Sequence, residues 1–462
     1  MRALPADLAS RLEGMVAAFV NTHAAPGAAV GVVLGDEPAW HLGYGFTDLD
    51  TQVEPDQRTL FRVASITKTF TGTAVVQLRD EGKLRLDDPL VAFVPELKAG
   101  RNPFGPIEDV TLRRLLTHQS GLMGEPPTQD LAEHVFPAVE EVLERADLIE
   151  VVIPPDAQDK YSNLTYQLLG EVVERVSGRP YREYVDAEIL RPLGMADSTF
   201  DPSPGQEPRV AKGYDPRIFL EEPPVSIGRE KLTDADGGLW STVIDLARWV
   251  AFQFREDGGE RGGAQVLRGE SLREMHRAGV ITDAGWTEAQ GLSWYSTRRG
   301  ERVFVGHAGG TAGFSSRIAF SVPERMGVIV LLNGSAPASA LALDLAVAVS
   351  EALAAVPPTE PAVRPAPIRE EWRELPGLYW WGEYGSELRI EWRAGRLTLL
   401  WQEKVPDREP KPTLEPTDDP LVFIVRGGRE TGERAVFHRG SAGSIVRVVV
   451  AGYPFARLVE AQ

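Results

Sequence analysis

The chain of 462 residues contains no cysteine, which excludes disulfides, a thiolate nucleophile and Cys-ligated zinc or iron–sulfur centres. Basic charge is scarce: 49 Lys+Arg stand against 67 Asp+Glu, a net charge of −18. Nucleic acid and anionic membranes both demand a basic field, so neither is expected as a partner. Long apolar runs are missing too. Asp7, Arg11 and Glu13 interrupt the start of the chain, where a secretory leader would need roughly 7–15 apolar residues, so no leader is expected. The most apolar stretch, 338–356, carries Asp344 and Glu351; a membrane span tolerates such acids poorly, and the stretch is read as a buried helix. A cytoplasmic location is therefore the expectation. No G-x-S-x-G elbow, phosphate-binding G-x-x-x-x-G-K-[ST] loop or H-E-x-x-H helix occurs. The seven histidines (23, 41, 118, 134, 276, 307 and 438) are too dispersed for a local metal motif.

What is present suits a folded protein, since 43% apolar residues can build a sizeable core. Five prolines fall within 357–367 (PPTEPAVRPAP), a composition that resists helix and favours an extended spacer. The expected organisation is a body at 1–356, a linker at 357–369 and a tail at 370–462. In the body, apolar runs at 27–34 and 39–45 predict a hairpin, and runs at 303–308, 314–321 and 326–332 predict three more strands. Leu4, Leu8, Leu12, Met15 and Phe19 recur at helical spacing. The long middle of the body shows helical periodicity. Strands from both ends with a helical insertion between them imply one sheet, a helical lobe and a cleft where substrate would bind.

Short runs in the tail at 387–392, 396–401, 421–425, 435–439, 445–450 and 455–459 predict an antiparallel barrel or sandwich. Trp372, Trp380, Trp381, Trp392 and Trp401 lie here and are expected to fill its core; a ligand-lined barrel, or an arm over the body's active site, is the alternative. The Pro-rich acidic piece 201–224 reads equally as a lid and as a surface loop.

Three segments carry chemistry. From Ile66 the apolar positions Phe70, Ala74, Val75 and Leu78 predict a helix that stops at Gly82. Ser65 then stands at its start with Lys68 one turn on, and residues three apart share a helix face. A hydroxyl becomes a nucleophile when a neighbouring base takes its proton, a task a buried lysine can perform. Free N–H groups at a helix N-terminus favour negative charge on a reacting oxygen. Taken alone, Ser65 reads as well as a helix cap and Lys68 as a surface lysine. Tyr161 and Asn163 fall in the turn before a second amphipathic helix, spaced to point into one cleft. His307, Gly309 and Gly310 end a predicted strand, where small residues let a substrate backbone approach. Separately, Tyr161 fits a packed aromatic and His307 a satisfied loop histidine.

Together, S-x-x-K at Ser65/Lys68, Y-x-N at Tyr161/Asn163 and [KH]-x-G at His307/Gly309 resemble the serine β-lactamase and penicillin-binding-protein superfamily. The class C-like branch of esterases, D-aminopeptidases and CubicO-type peptidases is the nearest in pattern. Segments 115–122 (LLTHQSGL), 192–195 (PLGM) and 237–242 (GGLWST) extend the likeness over most of 1–355. The resemblance implies an α/β fold, a β-lactamase/transpeptidase-like antiparallel sheet with flanking helices and a helical lobe, followed by a lipocalin-like antiparallel β-barrel. It implies a serine hydrolase that forms an acyl-enzyme on Ser65. Lys68 and Tyr161 would share the proton work, Asn163, His307 and Gly309 would hold substrate, and the Ser65 and Gly310 N–H groups would form the oxyanion hole. No metal or organic cofactor is implied. The substrate would be a small molecule or short peptide, and the appended barrel leaves room for homo-oligomer formation. Where many relatives carry Lys at the first position of the third motif, this chain has His307, so weaker carboxylate anchoring is expected and efficient β-lactam hydrolysis is not. The readings left open are cleavage of D-residue amides or esters, a pure esterase, and a penicillin-recognising receptor with slow deacylation.

Overall fold

Apolar runs from the two ends of the body meet in one antiparallel sheet. Gly27–Leu34 lies between Glu37–Gly45 and Met326–Leu332, with Val30 opposite both Leu42 and Val330. Phe314–Ser321, Arg302–Thr311, Tyr295–Arg299, Glu288–Gln290 and Val280–Ile281 continue the sheet in that order. The computed structural model describes residues 4–127, 137–215, 225–227, 233–256, 265–355, 367–382, 386–393, 395–401 and 411–458. By internal contacts the chain divides into two units, Met1–Ala355 and Val356–Gln462. Most of the expected spacer, and residues 216–224 of the Pro-rich acidic piece, lie outside the described residues.

The central strands are apolar at nearly every position because both faces are covered. On one face Ala28, Val30, Val32, Val328 and Val330 pack with the helices Ala6–His23 and Ala338–Ala355. The second of these is long and apolar enough to cross a membrane, yet Leu341, Leu345, Ala346 and Val349 are buried against the sheet. The first buries Leu8, Leu12, Val16 and Val20, leaving Met15 and Phe19 half-buried at the margin of its stripe. On the opposite face Ala29, Val33, Ile318, Phe320, Ile329 and Leu331 join the core of the helical lobe. The middle of the chain is less helical than its periodicity predicts, since three of the sheet's strands lie between 280 and 299. These strands are only two to five residues long, too short to show an alternating apolar pattern that would announce them.

The helix Thr67–Asp80 runs through the lobe with every residue from Thr67 to Val76 buried. Its threonines are tolerated there because each hydroxyl has a carbonyl partner. Thr69 Oγ1 donates to Ile66 O (2.8 Å), Thr73 Oγ1 to Thr69 O (2.8 Å) and Thr71 Oγ1 to Ala235 O (2.6 Å). Trp249 stacks on Phe70 with ring centres 4.0 Å apart and donates its Nε1–H to Thr69 Oγ1. The helix bearing Lys68 is thus tied to its neighbours through its own threonines.

The tail is a closed eight-stranded barrel in which each strand pairs with the next, from Gly377–Trp381 to Tyr453–Arg457, and the last pairs back to the first through Tyr379 and Arg457. Closure decides between the barrel and the sandwich. Two of its strands, Gly377–Trp381 and Thr413–Pro416, were not anticipated: the first starts at glycine, and the second is four residues ending in proline. The interior is built by Leu388, Ile390, Leu399, Phe423, Phe437 and Phe455 with their neighbours. Of the five tryptophans only Trp372 is buried; Trp381, Trp392 and Trp401 are half-buried and pack around this core.

Candidate active site

Ser65 sits in a one-turn 3-10 helix, Ala64–Ile66, that leads into Thr67–Asp80, so it stands in a tighter turn than the helix start expected. The turn is pinned at both ends. Val63 N donates to Leu239 O (3.1 Å), and Val63 O accepts from Ile66 N (3.2 Å) and from Ser316 Oγ on the sheet (2.8 Å). Thr67 Oγ1 donates to Ala64 O at 2.6 Å. Ala64 takes φ +45°, left-handed backbone that costs a residue with a Cβ roughly 1–2 kcal/mol; the surrounding bonds hold it there. Gly309 on the strand Arg302–Thr311 presses against the same turn, since a Cβ on it would lie 2.1 Å from Val63 O.

Lys68 is wholly buried and its Nζ meets three oxygens: Ser65 Oγ at 3.0 Å, Asn163 Oδ1 at 2.7 Å and Asp236 O at 2.7 Å. Asn163 is the first residue of the helix Asn163–Ser177, whose cap is Ser162, rather than a member of the preceding turn. Its amide orientation is fixed by its other end, where Nδ2 donates to Glu125 Oε1 at 2.6 Å. The rings of Tyr161 and Tyr166 lie 5.1 and 5.5 Å from Lys68 Nζ, presenting their negative faces to the amine. Among the described residues the Tyr161 hydroxyl makes no hydrogen bond to Ser65 or Lys68.

Residues with no motif of their own complete the site. His118 is buried, takes φ +52°, and holds the Tyr161 loop from two sides. Its Nδ1 accepts from Ser162 N (3.2 Å) and its carbonyl from Lys160 N (3.0 Å), while its ring packs 4.4 Å from that of Tyr161. Burial, reinforced by the Lys68 charge, pushes the His118 imidazole well below its usual range. Glu125 and the Asp236 carbonyl complete the polar set around Asn163 and Lys68. Burial raises both of these carboxyls, against the pull of Asn163 on Glu125 and of Lys68 on Asp236.

His307 is buried on the strand that faces the lobe, its Nδ1–H donating to Ala308 O at 2.6 Å. The strand Tyr295–Arg299 pairs with Arg302–Gly306 only, so that strand leaves the edge of His307–Gly310 open. Burial, with the Lys68 charge second, lowers the His307 pKa to about 3, so the ring is neutral at neutral pH. The unfolded chain would titrate near 6.5. Stability from the neutral ring is therefore full above about pH 6.5 and lost as pH falls towards 3. Asp159, raised to about 6 by burial and the Glu288 charge, acts oppositely: its contribution is full below the ordinary 3.8 and lost as pH rises through 6. A variant isolates the histidine. Between pH 7 and pH 5 the stability of wild type relative to His307→Gln should fall by about 2 kcal/mol, read from urea unfolding at both pH values. An unchanged difference would mean that the imidazole is not held neutral.

The fold and this constellation define the β-lactamase and penicillin-binding-protein class of proteins, as the sequence resemblance implied. The chain belongs to the Beta-lactamase family, whose model matches residues 12–352. It is 30% identical over 319 residues to D-alanyl-D-alanine-carboxypeptidase/endopeptidase AmpH of Escherichia coli (strain K12), covering 67% of this chain and 80% of AmpH. It is 27% identical over 311 residues to Protein flp of Staphylococcus aureus (strain N315), covering 67% of this chain and 59% of flp, so the match spans under two thirds of that relative. The octameric penicillin-binding protein homologue from Pyrococcus abyssi superposes over 97% of this chain and 100% of its own, with a TM-score of 0.64 at 23% identity.

Proposed function

We propose that the protein is a serine hydrolase that forms an acyl-enzyme on Ser65 and cleaves small amides of D-residues or esters. The three-way contact of Lys68 Nζ carries this reading. A neutral amine has two N–H bonds and one lone pair. Two of its three neighbours, Asn163 Oδ1 and Asp236 O, can only accept. When the amine is neutral, both N–H bonds go to them and the lone pair is left for the Ser65 hydroxyl at 3.0 Å; as an ammonium it donates to all three oxygens. Glu125 secures this arrangement by keeping the Asn163 oxygen towards Lys68.

In the proposed reaction Ser65 Oγ bonds to the substrate carbonyl carbon while its proton passes to Lys68 Nζ. The carbonyl electron pair moves onto oxygen, beside the N–H groups of Ser65 and Gly310; a Cβ on Gly310 would meet nothing within 4 Å, consistent with room for that oxygen. Collapse breaks the bond to the amine or alcohol, which leaves with a proton handed on through Lys68 and Tyr161. Water then attacks the acyl-enzyme with the same groups in reverse. The second N–H of Asn163 Nδ2 is available to the substrate, and Gly309 and the open strand edge would receive its backbone. Neutral His307 offers no cation to a substrate carboxylate, which supports esters and amino-terminal D-residue amides over β-lactams.

Turnover of a D-alanine anilide, a short-chain nitrophenyl ester and a chromogenic cephalosporin by wild type and Ser65→Ala tests the reading. Ser65-dependent cleavage of the anilide or the ester, with little on the cephalosporin, is the expected result. Efficient Ser65-dependent cephalosporin turnover would overturn the substrate preference. Inertness on all three would favour a receptor that acylates without release.

A further inference from the structure

Glu125 has a carboxylate where an amide would suffice to orient Asn163. Its position is rigid. Met123 N donates to Glu150 O (3.0 Å), Ser162 Oγ to Met123 O (2.7 Å), and Asn163 N and Leu164 N both to Gly124 O (2.8 and 3.2 Å). The Gly124 carbonyl thereby satisfies the first N–H groups of the helix Asn163–Ser177 and sets Glu125 against Asn163. Three hydrogen bonds, of 3.0, 2.7 and 2.6 Å, link Ser65 Oγ to Lys68, Lys68 to Asn163, and Asn163 to Glu125. The bond to Asn163 uses one carboxylate oxygen and needs no charge, because a glutamine Oε1 would accept it equally.

The charge is costly at this place. Glu125 is half-buried, and among the described residues it forms no ion pair. Burial raises its carboxyl, the nearby Asp236 charge adds to the rise, and the Asn163 hydrogen bond and the Lys68 and Lys160 charges oppose it. The Lys68 amine already has its three partners. An under-compensated carboxylate at the rim of a reaction site is stabilised by a cation brought from outside.

We propose that Glu125 is a specificity-determining residue that accepts the ammonium group of a substrate whose acyl half carries a free amine. This rests on the hydrolase reading above. With the carbonyl carbon at Ser65 Oγ and Asn163 alongside the acyl half, an α-ammonium lies two bonds from that carbon, on the side lined by Asn163 and Glu125. Substrates with an acylated or absent amine leave the carboxylate unpartnered and bind less well.

Binding without turnover provides the test. In the Ser65→Ala protein, calorimetry at pH 7 should show D-alaninamide binding at least about tenfold more tightly than N-acetyl-D-alaninamide, the scale of one charge-assisted hydrogen bond. In Ser65→Ala/Glu125→Gln, which keeps an acceptor for Asn163, the two affinities should come within about twofold. The proposal is overturned by no preference with Glu125 present, by a preference that survives Glu125→Gln, or by no binding of D-alaninamide. Equal weakening of both ligands also overturns it, because that marks a positioning role through Asn163. Wild-type turnover of D-alanine anilide is measured in parallel. Absence of turnover with an intact binding preference would sink the hydrolase reading and leave the assignment of Glu125 standing.

Discussion

Replacing Ser65 by alanine should lower kcat on the best of the ester and anilide probes by at least about 10⁴-fold, and Lys68→Met should cost nearly as much. The two effects should not add. In the proposed reaction Ser65 would be a poor nucleophile without a proton acceptor, and Lys68 would have nothing to deprotonate without Ser65, so the double variant should be no slower than the worse single one. Their effects on stability should differ. Ser65 is half-buried and is one of three partners of Lys68 Nζ, so its loss should barely move the unfolding temperature. Removing the Lys68 amine leaves Asn163 Oδ1 and Asp236 O without it, at about 1–3 kcal/mol for each group left unsatisfied. Steady-state kinetics well below the melting transition, with thermal unfolding alongside, separates the two effects. Tyr161→Phe provides the contrast. If it abolished turnover while Lys68→Met kept a tenth of the activity, the first proton would belong to the phenol. In the resting protein the 3.0 Å contact is to Lys68, and Tyr161 presents its ring face to the amine.

The pairs that define the site were legible where spacing along the chain equals adjacency in space. Ser65 and Lys68 are three apart on one helical surface, and Tyr161 and Asn163 flank the cap residue Ser162. The sheet was legible for a related reason, because strands buried on both faces must be apolar throughout, as Gly27–Leu34 and Met326–Leu332 are. What escaped was set by tertiary placement. Glu125 reaches Asn163 from 38 positions earlier in the chain, in a loop with no periodicity, and Asp236 contributes a backbone carbonyl, which no side-chain pattern can announce. His118 lay within a recognised segment, yet its hold on the Tyr161 loop depends on a left-handed backbone and a stacked ring. In the barrel, tryptophan content suggested a core filled by the five indoles, whereas leucines and phenylalanines fill most of it, Trp372 alone of the five is buried, and Trp381, Trp392 and Trp401 pack at its margin. Hydrophobicity indicates that a residue seeks cover, but not which side chains take the interior positions of the barrel.

Gly309→Ala should destabilise the protein by about 2–3 kcal/mol and slow turnover by about 10²-fold, a large effect for one methyl group. The added Cβ would lie 2.1 Å from Val63 O and 2.4 Å from Ser316 Oγ. The serine hydroxyl can rotate away, at the loss of its 2.8 Å bond to Val63 O. The carbonyl cannot move alone. Val63 N is tied to Leu239 O and Val63 O to Ile66 N, and the next residue is Ala64 at φ +45°. The strand and the nucleophile turn must therefore separate, which carries Ser65 away from the open edge at His307–Gly310 where the carbonyl would sit. Gly310→Ala is the internal control for stability, since a Cβ there would meet nothing within 4 Å. Its unfolding midpoint should match wild type to within about 0.5 kcal/mol. Urea denaturation of both variants checks the stability claim, and kcat/KM of Gly309→Ala checks the displacement of Ser65. If Gly309→Ala were as stable as wild type, the strand and the turn would not be in the close contact that holds Ser65 in place. A destabilised Gly309→Ala with unchanged kcat/KM would mean instead that the strain is relieved on the sheet side, with the Ser65 turn undisturbed.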